Sequence, residues 1–193
     1  MTFQANSGSG FFPGEAWNHV RDRLIQGGWD LQSPALLALG EEQRLLLLSE
    51  TGVVEEWPIS TGKKGFGNTE NSYKTPTGLH QVSHKIGDGE PLGMVFKGRV
   101  ATGEIVADGV DPGEDLITTR ILRLTGLEPG INQGPGVDSF ERYIYIHGTP
   151  HGHLLGEPHS AGCIRMDNRG VLALYELIDV GTPLLILPSN KVA

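Results

Sequence analysis

The chain has a single cysteine, few aromatic residues, a deficit of basic ones and no long apolar run. One Cys in 193 residues excludes an intramolecular disulfide and any zinc cage built from several thiolates. Trp17, Trp29 and Trp57 are spread too far along the chain to suggest a sugar-stacking platform, so core packing is the default for each. The longest apolar stretches, residues 35–39 and 45–48, fall far short of the roughly 20 residues a membrane-crossing helix needs. Lys and Arg total 15 against 23 Asp and Glu, a net charge of -8, which argues against a nucleic-acid or anionic-membrane partner. Residues 1–14 lack both a basic start and a continuous apolar segment, so no export signal is read. The expected location is cytoplasmic, or periplasmic if a leader has been trimmed away.

What is present is glycine and proline, 28 and 12 residues, which punctuate the chain into short segments. Apolar content of 38% with 20% charged residues is enough for a full core. Residues 15–26 place Trp17, Val20, Leu24 and Ile25 on one face and predict an amphipathic helix. Strands are predicted over residues 35–39, 43–49, 53–60, 78–83, 93–101, 116–124, 142–147 and 183–188. Residues 61–77 read as a loop, and the acidic segments 87–91, 107–115 and 128–138 as surface turns. A second helix is predicted over residues 167–180, capped by Asp167 or Asn168 and stopped at Gly181. The sum is a mainly β chain with short helices near the N-terminus and after the cysteine. It divides into an N-terminal helical extension, residues 1–34, and a domain over 35–193.

The lone thiol lies in Ser160-Ala161-Gly162-Cys163-Ile164-Arg165, sixteen residues after Tyr145-Ile146-His147-Gly148-Thr149. Cysteine attacks as a thiolate and needs a base or a lowered pKa. His147 is the candidate base, the amino end of the following helix a candidate stabiliser, and backbone N–H groups near Gly162 a candidate oxyanion site. Tyr143, Tyr145 and His147 alternate with Ile144 and Ile146, so one strand face presents the histidine with the tyrosines, and Gly148 would leave room for a ligand. A buried structural cysteine is the competing reading, and on spacing alone both stay open.

These segments resemble the YkuD-type L,D-transpeptidase catalytic domain. Pro58-Ile59-Ser60-Thr61-Gly62 and Lys74-Thr75-Pro76-Thr77-Gly78-Leu79 resemble two further segments of that family, in the same order. The resemblance implies a β-sandwich or barrel-type fold with the site in a cleft over the sheet, Cys163 as nucleophile and His147 as base. Ser160 and Gly162 would orient the histidine or help the oxyanion. Arg165 would hold the site loop or pair with a substrate carboxylate. Tyr145, Gly148, Thr149, His151 and Ala161 would line the substrate groove. Many members carry His where this chain has Ala161, which removes a second imidazole from beside the thiol.

The implied substrates are peptidoglycan stem peptides or muropeptides, cleaved after an L-centre such as diaminopimelate with loss of D-alanine through a thioester. No cofactor or metal is implied. With no export signal or LysM-like module read, hydrolysis of tetrapeptides during wall recycling is expected over 3→3 cross-linking or lipoprotein attachment. Two other classes compete. His147, His151, His153 and His159 could bind a metal, but His151-Gly152-His153 lies in a Gly/Pro loop without fixed helical spacing. A non-catalytic wall-binding module would tolerate loss of Cys163. The Gly-rich residues 61–68 lack the ending of a phosphate loop.

Overall fold

Leucine runs buried on both faces require a sheet that is covered from both sides. The computed structural model describes residues 14–110 and 112–189. Helix α1 (Gly14–Gln26) precedes strands β1 (Ala35–Leu39), β2 (Arg44–Ser49), β3 (Gly52–Pro58), β4 (Gly78–Ile86), β5 (Met94–Lys97) and β6 (Val100–Ile105). Then come β7 (Ile117–Gly126), β8 (Tyr145–Thr149), β9 (Ile164–Asp167), α2 (Asn168–Leu177) and β10 (Pro183–Leu187).

The strands form one curled sheet, a half-barrel, in the order β3-β2-β1-β10-β4-β7-β5-β6. One edge of β7 takes β4 and β5 end to end, while its other edge takes β8, which pairs in turn with β9. Leu36, Ala38, Leu45, Leu47, Leu184 and Ile186 point into the curl, where Val171, Leu174 and Tyr175 of α2 fill the core. The alternate residues Leu37, Leu39, Leu46, Leu48 and Leu185 face outward and are covered by Val20 and Leu24 of α1. Successive strand side chains point to opposite faces, so a continuous apolar strand serves two cores at once. Of the extension expected over residues 1–34, residues 1–13 lie outside the described part.

Four elements differ from expectation. Residues 93–101 form not one strand but a hairpin, turned at Gly98 and Arg99 with φ of 57° and 70°. Two positive φ values in a two-residue turn are the type I′ geometry that matches strand twist. The strand expected from residue 142 starts at Tyr145, because Arg142 and Tyr143 close turns onto Asp138 and Phe140 and Tyr143 adopts φ 56°. β9, four residues directly after the cysteine, was not anticipated, and α2 ends at Leu177 with Ile178 extended.

His80 of β4 is fully buried, with Nδ1 against the Gly78 carbonyl at 3.0 Å and Nε2 against Ser139 Oγ at 2.9 Å. Burial holds its pKa down to about 4. An unfolded histidine takes its proton near pH 6.5, so from there down to about 4 the unfolded state binds more protons. Stability therefore falls as pH falls through that window, by on the order of 3 kcal/mol per such histidine. Chemical unfolding followed from pH 7 to 4 should show this loss, and His80→Gln should flatten the slope. An unchanged slope in the variant would assign the acid sensitivity elsewhere.

Candidate active site

Parallel pairing of β8 with β9 sets the register Ile146↔Ile164 and His147↔Arg165. Ile144, Ile146, Ile164 and Met166 all face the inner core. Tyr145 and Cys163 lie on the opposite face, among Met94, Phe96 and Ile121. His147 shares that face with its register partner Arg165. Cys163 therefore lies one strand over and two residues along from His147, roughly 8 Å between Cα atoms at ordinary strand spacings.

The imidazole is oriented by its own strand. Nδ1 lies 2.9 Å from the Gly148 carbonyl oxygen. A carbonyl only accepts, so Nδ1 carries the proton and Nε2 presents a lone pair. The histidine is 3% exposed, and burial holds its pKa down to about 4, with the positive charge of Arg165 pushing the same way. Cys163 is half-buried. The apolar surroundings of its sulfur push the thiol up to about 11 against the opposing pull of the Tyr145 N–H, Arg165 and Arg142. Its Sγ donates to the Tyr143 carbonyl at 3.6 Å. At neutral pH Cys163 is a thiol and His147 a neutral imidazole, both on the same sheet face.

The turn before the thiol is bonded to itself. Ser160 Oγ donates to the Cys163 carbonyl at 2.6 Å and accepts from the Gly162 N–H at 3.1 Å. Gly162 has φ 121°, and a Cβ there would lie 3.1 Å from the Lys74 carbonyl, so a side chain is excluded by conformation and by space. The Cys163 N–H has no protein partner among the described residues. It is free to receive an oxyanion.

Residues 35–186 match the model of the YkuD family, the L,D-transpeptidase catalytic domain. The chain belongs to that family. Solved structures of similar fold include an L,D-transpeptidase from Mycobacterium smegmatis, 18% identical over 80% of this chain with a TM-score of 0.52. LdtMt1 in complex with imipenem is 17% identical over 80% of this chain, also at a TM-score of 0.52. An L,D-transpeptidase from Mycobacterium tuberculosis H37Rv is 17% identical over 80% of it, at 0.50. The chain spans 58%, 59% and 57% of those three chains. No curated protein matches it.

Within this L,D-transpeptidase-family domain, a cleft of about 650 Å³ adjoins the turn, lined by Lys63, Lys64, Tyr73, His151, Ser160, Ala161 and Arg165. Cys163 and His147 border it rather than line it. Arg165 is 5% exposed and ion-paired with Asp115, which also lines the cleft. This ion pair ties β9 to the acidic segment that ends at Asp115, with the guanidinium at the cleft wall. His151 Nε2 donates to the Glu114 carbonyl at 3.1 Å and ties the same acidic strap.

Several expectations change. Gly148 makes room for protein, not ligand: a Cβ would meet the Thr118 carbonyl at 2.6 Å and Asn168 Oδ1 at 2.7 Å. Thr149 is buried and its hydroxyl accepts from the His151 N–H, shaping the turn after β8. Tyr145 contributes through its N–H to the sulfur, while its hydroxyl accepts from Arg99 at 3.1 Å. Tyr143 precedes the strand and is half-exposed. The amino end of α2 does not reach the thiol: Asp167 caps it by accepting from the Arg169 and Gly170 N–H groups, on the other side of the sheet. Among the described residues no three of His, Cys, Asp or Glu converge as a metal site. His151 and His153 meet edge to face, and His159 pairs with Glu157.

A thiol held at about 11 should alkylate slowly at neutral pH. Its rate with iodoacetamide should rise about tenfold per pH unit up to about pH 10, as the thiolate fraction does. A plateau between about pH 6 and 8 would instead reveal a preformed thiolate–imidazolium pair.

Proposed function

We propose that this chain catalyses cysteine-dependent acyl transfer on peptidoglycan stem peptides, cleaving the bond between an L-centre such as diaminopimelate and a terminal D-alanine. The observation that carries this reading is the common sheet face of Cys163 and His147, on neighbouring parallel strands, with an imidazole lone pair on Nε2 and a half-buried thiol. The Cys163 sulfur attacks the carbonyl as its proton passes to His147 Nε2. Negative charge develops on the carbonyl oxygen and is met by the Cys163 N–H. The intermediate collapses to a thioester, and D-alanine leaves with the proton from His147.

Water is the acceptor in the primary reading. It is small enough to reach a half-buried sulfur, and His147 Nε2 takes its proton as it attacks the thioester. The product is a tripeptide, and the setting we propose is turnover of soluble wall fragments in the cytoplasm. A second reading takes an amine acceptor, favoured by the carboxylates of Glu114 and Asp115 at the cleft, which would draw an ammonium group in. Arg165, Lys63 and Lys64 supply the complementary positive wall for stem-peptide carboxylates.

Mass spectrometry of a tetrapeptide ending in D-Ala, with and without an added D-amino acid, tests both readings. Loss of alanine alone indicates hydrolysis, and a swapped terminus or a dimer indicates transfer. Cys163→Ala should abolish either product, and His147→Gln should slow it by roughly 10²–10⁴-fold. No product from the unmutated protein, or full activity in Cys163→Ala, would sink the proposal.

A further inference from the structure

Thr75 lies 88 positions before the thiol in sequence, yet its hydroxyl lies under the nucleophile turn. It is fully buried. Oγ1 donates to the Gly162 carbonyl at 3.0 Å and accepts from the Gly62 N–H at 2.8 Å. With both bonds made, the hydroxyl has one orientation. The residue carrying it is itself clamped: its N–H donates to Gly65 at 3.0 Å and its carbonyl accepts from Gly67 at 2.9 Å. Arg142 Nη2 holds the preceding carbonyl, that of Lys74, at 2.6 Å.

The Gly162 carbonyl and the Cys163 N–H belong to the same peptide unit. That unit is planar and trans, so the two groups point in opposite directions. Holding the carbonyl on one side therefore aims the N–H on the other. Gly162 cannot hold this orientation by itself, because a residue without a Cβ rotates freely about φ and ψ.

The geometry points to Thr75 as a positioning residue: through the Gly162 carbonyl it fixes the direction of the Cys163 N–H that receives the oxyanion. This rests on the acyl-transfer reading above, and it adds a side chain that touches neither substrate nor sulfur. Thr75→Val removes the donor at nearly constant shape. Thr75→Ser keeps it.

The test uses two reactions of the same sulfur in the full chain. Acetylation by p-nitrophenyl acetate forms an S–acyl bond, breaks the ester C–O bond, releases p-nitrophenolate, and sends the thiol proton to His147. It passes through an oxyanion. Alkylation by iodoacetamide forms an S–CH₂ bond with loss of iodide and involves no oxyanion. Both are read by mass on the peptide containing Cys163, alongside thermal unfolding. Losing one oxyanion donor outright slows acyl transfer by about 10²–10³-fold. Thr75→Val, which misaims a donor still present, should slow acetylation by roughly 10–100-fold. Alkylation should stay within about twofold, and Thr75→Ser should recover most of the acetylation rate.

Unchanged acetylation in Thr75→Val, a parallel fall of both reactions, or a Thr75→Ser as slow as Thr75→Val would overturn the assignment. If Thr75→Val does not fold, Thr75→Ala takes its place against Thr75→Ser, and equal acetylation of those two overturns it equally. Neither reagent is a stem peptide. An unmutated protein that leaves the tetrapeptide intact sinks the proposed substrate but leaves this comparison readable.

Discussion

The arrangement of this site depends on the parallel pairing of β8 with β9. Antiparallel neighbours can be joined by a tight turn, whereas parallel strands require a crossover that carries the chain back to its starting edge. Residues 150–163 make that return here, through a short 3₁₀ turn at Gly152–Leu154 and the Ser160–Cys163 turn. Once the register His147↔Arg165 is set, side-chain alternation decides the rest. Isoleucines and Met166 go inward to α2, and the imidazole, thiol and guanidinium go outward to the cleft side. A slip of one residue in either strand would send the thiol into the inner core, so the many apolar contacts of that core also specify the chemistry.

Electrostatics at the site follow from the same placement. Burial alone would leave a thiol and an imidazole both neutral, as they are here. Arg165 beside them favours the thiolate and disfavours the imidazolium, but Asp115 opposes it on both groups. The ion pair thus tempers its own effect, and the resting site stores little charge. In the acyl transfer proposed above, charge separates only on attack, when the Tyr145 N–H faces the sulfur and the Cys163 N–H faces the new oxyanion. Donors already in place at that moment need no reorganisation.

What could be read from the sequence was local. The thiol in a small-residue turn, the histidine on an apolar strand, the Arg two residues on and the two-helix, mainly β layout all follow from spacing, alternation and turn chemistry, although β8 runs past His147 to Thr149. What could not be read depends on register between distant segments. Gly148 looked like space for a ligand because a single sequence does not show that Asn168 and Val171 fill it. The amino end of α2 looked available to the sulfur because a helix following a cysteine is near it in sequence; one intervening strand puts the two on opposite faces of a sheet. Residues 93–101 looked like one strand because Gly98-Arg99 lacks the Asn-Gly or Asp-Gly signature of its turn. Asp115 carried no signal of its own, and Thr75 stood only inside a segment of family resemblance with no role attached, since each acts through a partner far along the chain.

This last point explains why the proposed nucleophile turn of four residues comes with a long, Gly-rich loop on the far side of the sequence. Gly162 is needed because the chain passes close to the Lys74 carbonyl at positive φ, yet a glycine gives up the stiffness that a donor aimed at an oxyanion requires. Rigidity must then come from outside the turn. Residues 61–77 provide it: Ser160 pairs with Thr61 and Lys63 through its N–H and carbonyl, Ser60 pairs with Arg165, and Arg142 gathers the Gly67, Asn68 and Lys74 carbonyls. The loop is polar because its work is hydrogen bonding rather than burial, and ordered because its bonds run both within the loop and to distant segments. Flexibility at the nucleophile and order in the loop beneath it are two halves of one requirement.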